Sequence, residues 1–406
     1  MEFEFTENKA ALAKIKVVGI GGAGNNAINN MIASGLEGVA FIAANTDLQD
    51  LESCAASNKI QLGAKLTKGL GCGAKPEVGR EAAVESLEEI RRLLGDSDMV
   101  FLTAGMGGGT GTGGAPVFAQ VLKELEDPPL TVAVVTKPFK FEGPRRLNQA
   151  EEGIGRLKEF VDTIITVPND RLLAMAPKGC SVKQAFKMAD DVLLHAVKGV
   201  SDLILLRGHI NLDFEDAQTV MSNKGQALMG TGQASGPDRA IVAAQQAISS
   251  PLLEDISITG AQGILINIAA AEDNVSLEEI NEACSLIQAE AHPDADVIFG
   301  VAWDDSLGDD LRITVIATGI GKKEEPKIIH KLKERARLAS FEEVAARHDV
   351  YEQPTYTRRN PDRRGQERRV ESSLSQFEKP GYSKYENFTV AEEDLEKPTF
   401  MRRKAD

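Results

Sequence analysis

Short apolar runs alternate with amphipathic stretches over the first 180 residues. The run IKVVGI at residues 15–20 ends in a glycine cluster, after which apolar residues recur at helical spacing. Similar apolar runs lie at residues 39–45, 98–105, 130–136 and 162–168. Continuous apolar strands that alternate with helices predict an α/β fold with a parallel sheet covered on both faces.

A long helix and a second α+β region are predicted after residue 180. Apolar residues recur every three or four positions from Ser181 to Leu206, and a helix of about 24 residues spans roughly 36 Å. We expect this helix to run through the middle of the molecule. Residues 227–320 contain three apolar strands and an amphipathic helix, which indicates a compact α+β domain.

The composition changes at Gly321. Residues 321–393 are rich in Arg, Glu, Lys, Pro and Ser, which predicts a disordered linker. The six arginines between residues 358 and 369 fit either a solvated stretch or a contact with a membrane surface or nucleic acid. The last residues, 394–406, regain apolar side chains, which suggests a docking peptide at the end of a polar tether.

Charge and cysteine usage narrow the classes of function. The formal net charge of -15 argues against a general nucleic-acid or anionic-membrane binder, because phosphate-rich surfaces are met by Lys and Arg. The four cysteines show no CxxC spacing, and the N-terminus lacks the apolar core of a signal peptide. We therefore expect a cytoplasmic protein with no nucleic-acid partner, in which any bound phosphate is small and held locally.

Two glycine clusters follow predicted strands. In GIGGAGNN, Gly19, Gly21 and Gly24 have the GxGxxG spacing that lets backbone N–H groups and a helix N-terminus approach an anion. That cluster alone fits a Rossmann dinucleotide site, another phosphate site or a tight turn without ligand. The second cluster, GGGTGTG at residues 107–113, adds further N–H donors and two hydroxyls, and no GxxxxGK[ST] P-loop is present. Two glycine-rich loops that can bind phosphate, each at the end of a strand, predict a nucleoside triphosphate site.

These motifs resemble the tubulin/FtsZ family. GGGTGTG is that family's signature loop, and further matches occur in the family's order across residues 15–320. They are NTD at 45–47, GLGCGAKPEVGR at 69–80, TKPFKFEG at 136–143, PND at 168–170, NLDFEDAQTVM at 211–221 and SSPLLED at 249–255. The chain departs from the family at Ala23, where many relatives have glycine, and at Lys397, where an apolar residue is common.

The resemblance implies a tubulin-like GTPase fold with a parallel sheet, a long central helix, a second α+β domain and a disordered tail. The implied function is a GTP-binding, GTP-hydrolysing cytoskeletal protein that polymerises head-to-tail into filaments of the bacterial division ring at mid-cell. A Rossmann-type NAD-dependent oxidoreductase and a tubulin-like scaffold without turnover are the alternatives. The expected domains are an N-terminal extension (1–14), a nucleotide-binding domain (15–180), a central helix with a catalytic loop (181–226), a C-terminal α+β domain (227–320), a linker (321–393) and a partner-binding tail (394–406).

The family's nucleotide contacts carry over to matching positions. Glu142 resembles the ribose contact and Arg146 the arginine near the sugar and phosphates, with an exposed salt-bridged pair as the alternative. Phe186 and Asp190 lie four residues apart and share a helix face, where a carboxylate can accept from guanine N1–H and N2–H₂ together; Phe186 as a core residue is the alternative. The residues expected to bind GTP or GDP are Gly21, Gly22, Ala23, Gly24, Asn25, Asn26, Asn45, Gly107, Gly108, Gly109, Thr110, Gly111, Thr112, Glu142, Arg146, Phe186 and Asp190. Mg²⁺ is expected on the phosphates, since it prefers phosphate oxygens and water to a protein cage.

Three polar residues, Asn211, Asp213 and Asp216, lie beyond the far end of the long helix. If that helix continues to Leu206, sixteen residues of about 1.5 Å each separate them from Asp190 by roughly 24 Å or more. We therefore expect them to orient water at the nucleotide of the next subunit, in a head-to-tail contact that propagates into a filament. The alternative is that Asp213 and Asp216 only cap the following helix.

The C-terminal KPTFMRRKAD is similar to the family's partner-binding tail. The resemblance implies membrane-associated division adaptors as partners. The residues expected to bind them are Pro398, Phe400, Met401, Arg402 and Arg403.

Overall fold

A computed structural model describes residues 13–177, 179–205, 213–222, 225–253, 261–272 and 274–320 of the chain. Most of the predicted N-terminal extension, Asn211, the predicted linker and the predicted tail peptide therefore lie outside the described residues.

The N-terminal strands form a parallel sheet, as their continuous apolar runs predict. These strands are β1 (Ile15–Ile20), β2 (Ala40–Asn45), β3 (Asn58–Gln61), β4 (Met99–Gly105), β5 (Leu130–Lys137) and β6 (Thr163–Pro168). Five of them match the predicted runs within one residue at each end. The sixth, β3, was not predicted, because NKIQ is short and polar and buries only Ile60. It pairs with β2 at the edge of the sheet.

Helices cover both faces of this sheet. They are α1 (Gly21–Ala33), α2 (Leu48–Ser53), α3 (Ala64–Thr67), α4 (Pro76–Glu85), α5 (Leu87–Leu94), α6 (Thr110–Lys123), α7 (Pro144–Leu157), α8 (Asn169–Met175) and α9 (Val182–Leu205). The long predicted helix is α9, whose Val197 lies in one apolar core with Phe101 from the N-terminal strands and Leu265 and Ile316 from the C-terminal ones. Its central position is therefore confirmed.

The C-terminal elements extend the same sheet. They are α10 (Phe214–Met221), β7 (Gly225–Ala234), α11 (Arg239–Ile248), β8 (Gly263–Ala270), α12 (Leu277–Glu290), β9 (Asp296–Trp303) and β10 (Leu311–Ile320). The strand order is β3-β2-β1-β4-β5-β6-β7-β10-β8-β9, and β10 alone runs antiparallel to its neighbours. The predicted α/β fold is confirmed. The domain boundaries stay a prediction, because β6 and β7 join the two halves through three parallel residue pairs.

The two edges of the sheet differ in what they carry. Strands β1, β4, β5 and β6 are parallel neighbours, so their carboxyl ends share one edge, which we call the carboxyl edge. The opposite amino edge holds the end of α10, since the hydroxyl of Thr163 at the start of β6 donates to the Met221 carbonyl. The hydroxyl of Thr318 also donates to the Val220 carbonyl, at 3.0 Å.

Candidate functional site

An open cavity of about 260 Å³ lies at the carboxyl edge. The loops after β1, β4 and β5, the first residue of α8 and one face of α9 form its walls. The predicted GTP-binding residues that line it are Gly21, Gly22, Ala23, Gly108, Gly109, Thr110, Gly111, Glu142, Arg146, Phe186 and Asp190. Both glycine clusters and the two predicted base contacts of α9 therefore meet at one site.

Two helix N-termini point into this cavity. Helix α1 begins at Gly21 and α6 begins at Thr110, directly after the paired strands β1 and β4. The first turn of neither helix contains an acidic residue. Because helix N-termini present free N–H groups and partial positive charge, this end of the cavity suits a polyphosphate.

Close backbone packing explains the first glycine cluster. A Cβ on Gly24 would lie 2.6 Å from the Thr103 carbonyl oxygen, so a side chain there would push α1 away from β4. Ala23 departs from the family's glycine, and its Cβ lies 2.5 Å from where a Cβ on Gly105 would be. The glycine at 105 thus makes room for the alanine at 23.

Some predicted binding residues support the loops and do not line the cavity. Thr112 Oγ1 accepts from the backbone N–H of Gly107 at 2.8 Å, which closes the second glycine loop. The Asn45 side chain accepts from the Thr46 N–H at 2.8 Å and donates to Asp50 Oδ2 at 2.9 Å. Asn26 is exposed on α1 and lies outside the cavity lining. A motif alone does not separate these supporting positions from direct contacts.

Glu142 and Arg146 both line the cavity and also pair with each other. Arg146 Nη1 lies 2.6 Å from Glu142 Oε2, and Glu142 Oε1 accepts from the Phe139 N–H at 2.9 Å. The ion pair that the sequence left as an alternative is therefore present at the mouth of the cavity. Half of the Arg146 side chain is exposed, so its charge can still face an anion.

The far end of the cavity combines an aromatic ring with a carboxyl group. Phe186 is 42% exposed and packs edge-on against Phe139, with ring centroids 5.3 Å apart, so it is not a core residue. Asp190 lies one turn further along α9. Burial, together with the neighbouring charge of Asp191, raises the pKa of Asp190 to about 7.

Three buried amides have side-chain atoms without a partner among the described residues, and two of them, Asn25 and Asn169, belong to the helices that begin at the cavity, whereas the third, Asn267, lies on β8. Asn169, at the start of α8, is 4% exposed, lines the cavity and has an unpaired Oδ1. Asn25, on the first turn of α1, is 1% exposed, and both its amide nitrogen and oxygen are unpaired. Buried amides normally find partners, so these two are candidates for ligand contacts. Asn169 was missed as a site residue, although its PND motif follows a predicted strand.

The predicted catalytic carboxylates lie away from the cavity. Asp213 caps α10, because its Oδ1 accepts from the Asp216 N–H at 2.8 Å. Both side chains are exposed, and neither lines the cavity. From Asp190 to Leu205, α9 alone spans about 22 Å. The capping role foreseen as an alternative is thus present for Asp213.

Metal-binding clusters, membrane-spanning helices and disulfides are the remaining features of interest in the described part of the chain. It contains no group of three or more His, Cys, Asp or Glu side chains that could hold a metal ion. No helix within those ranges is long and apolar enough to cross a membrane. All four cysteines are free thiols.

Comparison with known proteins decides the family. Residues 14–177 match the model of the GTPase domain of the Tubulin/FtsZ family, and residues 225–321 match the model of the FtsZ family C-terminal domain. The chain is 49% identical over 366 residues to the cell division protein FtsZ of Azotobacter vinelandii, covering 88% of this chain and 92% of that protein. This chain belongs to the FtsZ family.

Solved structures agree with membership of the FtsZ family. An empty FtsZ dimer from M. jannaschii has a TM-score of 0.73 and 47% identity, with 76% of this chain and 89% of that chain covered. CetZ2 from Haloferax volcanii, solved as a GTPγS-bound protofilament, has a TM-score of 0.63 at 22% identity, with 81% and 99% covered, and shows the fold alone. Membership of this family confirms the prediction of a GTP-binding, GTP-hydrolysing cell-division protein, and the oxidoreductase alternative is not favoured.

Proposed function

We propose that this chain hydrolyses GTP in a head-to-tail filament, where the end of one copy that carries Asp213 and Asp216 completes the nucleotide site of the next. One observation carries the proposal. The cavity lies at the carboxyl edge of the sheet, whereas α10, which Asp213 caps and which contains Asp216, ends at the amino edge. The empty FtsZ dimer from M. jannaschii supports self-association.

Distance within one chain supports a site shared between copies. Asn169 at the cavity directly follows β6, and Thr163 at the start of β6 touches the end of α10. The six residues of β6 span about 20 Å, so the two features are separated by the length of the strand. A copy stacked with its amino edge on the carboxyl edge of the next removes that separation.

Exposed apolar side chains flank the cavity and fit a surface that another protein covers. Leu70 is 84% exposed on the loop whose Cys72 contacts the cavity residue Thr110. At the other end, Phe141 is 64% exposed and stacks on Phe139, which packs against Phe186. Large apolar groups grouped around a site are typical of an interface.

The chemistry follows from these positions. The backbone donors of the two glycine loops and Arg146 hold the phosphates, while Phe186, Asp190, Asn25 and Asn169 hold guanine. Magnesium would be held mainly by phosphate oxygens and water, and it would neutralise phosphate charge when bound. The carboxylates of the next copy orient the attacking water, which the free site does not position.

Complementary variants test the shared site. Asp213→Asn keeps the helix cap, since Asn caps as well as Asp, but it removes the carboxylate charge. We expect this variant to bind GTP and assemble yet lose most phosphate release, while Glu215→Ala, an exposed neighbour on α10, stays active. An Asp213 that only caps α10 would leave the Asn variant active.

A mixing experiment then separates action on a neighbour from action in the same chain. A Cβ on Gly108 would meet nothing within 4 Å, so Gly108→Glu should be tolerated by the fold, and its negative charge at the phosphate end should block nucleotide binding. Mixed with Asp213→Asn, it supplies an intact Asp213 to a neighbour's loaded site and should restore part of the turnover. Background turnover in confirmed mixed filaments would refute the proposal.

The C-terminal tail is proposed to attach filaments to membrane-associated division adaptors at mid-cell in the cytoplasm. The support is the sequence of residues 394–406, which lie outside the described part of the chain. Phe400 and Met401 would be apolar anchors, and Arg402 and Arg403 charged contacts. Deleting these residues should leave GTPase activity intact and abolish the ring in cells. A normal ring built only from the truncated chain would refute this role.

A further inference from the structure

A thiol and two hydroxyls form a triangle beside the second glycine loop. Thr46 Oγ1 lies 2.7 Å from Thr110 Oγ1, Cys72 Sγ donates to Thr46 Oγ1 at 3.3 Å, and Thr110 Oγ1 donates to Cys72 Sγ at 3.5 Å. Thr46 and Cys72 are buried, whereas Thr110 lines the cavity. A Cβ on Gly109 would lie 2.7 Å from Cys72 Cβ, so the cysteine packs directly on the glycine loop.

The directions of the two bonds to sulfur, together with a count of hydrogens, fix the direction of the third bond. Each of the three groups has one hydrogen to donate. Thr110 gives its hydrogen to sulfur and Cys72 gives its hydrogen to Thr46, so the ring closes when Thr46 donates to Thr110. The bond from Thr110 to sulfur is the longest of the three, and sulfur is a weak acceptor. A charged phosphate oxygen is a far better acceptor for the Thr110 hydrogen.

We propose that Cys72 is a positioning residue for the phosphate chain of the nucleotide. When phosphate replaces sulfur as the acceptor for Thr110, the other two bonds persist, and donation runs in one direction from Cys72 through Thr46 and Thr110 to the phosphate. Without the thiol, the bond between Thr46 and Thr110 can run in either direction. When Thr110 donates to Thr46, a lone pair of Thr110 faces the phosphate instead of its hydrogen. The inference rests on the proposed contact between the 107–113 loop and the phosphates.

Comparing GTP with guanosine tests this role, because guanosine lacks the phosphates. Affinities are measured on the full chain below its assembly concentration and without Mg²⁺. Cys72→Ala should weaken GTP binding about tenfold and leave guanosine binding unchanged. Cys72→Ser keeps a donor and an acceptor, so GTP affinity should stay within about threefold of wild type. Cys284→Ala, which removes a buried thiol from α12 in the C-terminal core, is the matched control and should change neither affinity.

Two further variants make the outcome decisive. Thr46→Val interrupts the same chain of donors with a side chain of similar shape and should reproduce the Cys72→Ala effect. If Thr110→Val leaves the ratio of GTP to guanosine affinity unchanged, the proposed phosphate contact itself fails. If Thr110→Val lowers that ratio while Cys72→Ala behaves like Cys284→Ala, the positioning role alone is overturned. Equal losses in Cys72→Ala and Cys72→Ser would also overturn it, since they would reflect packing and not the donor.

Discussion

The affinity for GTP should rise with pH through the titration of Asp190. Burial and the charge of Asp191 raise the pKa of this carboxyl to about 7. Only the carboxylate can accept from both guanine N1–H and N2–H₂, whereas the protonated acid brings a hydrogen of its own. On the proposed contact between Asp190 and guanine, nucleotide binding therefore competes with protonation near neutral pH.

The size of this effect follows from the pKa. With a pKa of about 7, roughly a tenth of the empty sites carry the carboxylate at pH 6 and roughly nine tenths at pH 8. If only the carboxylate form binds well, GTP affinity increases about tenfold between these pH values, which corresponds to about 1.4 kcal/mol. The affinity must increase with pH, because raising the pH deprotonates Asp190 and so creates the carboxylate that accepts from guanine.

Equilibrium binding of GTP to dilute, Mg²⁺-free protein at several pH values measures the effect. Asp190→Asn is the control, because its amide carbonyl still accepts one hydrogen bond but does not titrate. The ratio of wild-type to variant affinity removes the titration of the phosphates, and we expect it to increase about tenfold from pH 6 to pH 8. A ratio that stays constant over this range would refute the assignment of Asp190 to guanine.

Two further predictions concern stability and the glycine loop. Burial raises the pKa of Asp202 to about 7, so folding favours its protonated form and stability is lost as pH rises from the unfolded value through the folded one. Asp202→Asn should therefore raise the melting temperature more at pH 8 than at pH 5, and equal shifts would contradict this. A Cβ on Gly153 would lie 2.5 Å from Thr112 Cγ2, whereas one on Gly155, in the same helix, would meet nothing within 4 Å. Gly153→Ala should destabilise the fold by about 1–3 kcal/mol and weaken GTP binding, whereas Gly155→Ala should do neither, as melting and binding measurements would show.

The sequence predicted the N-terminal strands closely because each is a continuous apolar run between polar or glycine-rich segments. It did not predict β7 or α11, and one contact between them explains why β7 was missed. A Cβ on Gly230 in β7 would lie 2.0 Å from the Ala247 carbonyl oxygen of α11, so the strand needs glycine where the helix packs on it. Because glycine lowers strand propensity, the sequence pattern does not predict β7, although tertiary packing requires glycine there.

The site residues likewise divide into those that a sequence motif predicts and those that only the fold reveals. Gly108 and Thr110 belong to a motif whose composition has no use in a core, and both line the cavity. Asn45 and Thr112 belong to motifs as well, yet their side chains hold the loops. The proposed role of Asn169 rests on its burial without a partner, which is a property of the folded chain that its PND motif does not show.

The arrangement of the sheet also limits how two copies can share a site. Parallel strands place both glycine loops at the carboxyl edge, and α10 ends at the amino edge. A two-fold dimer that stacks end to end joins the same edge of both copies, so it would set cavity against cavity or Asp213 against Asp213 and leave both sites incomplete. Only a head-to-tail contact brings unlike edges together, and each added copy then offers a new open cavity at one end and a new Asp213 at the other. On the proposed mechanism, the contact that completes catalysis is therefore the same contact that extends the filament.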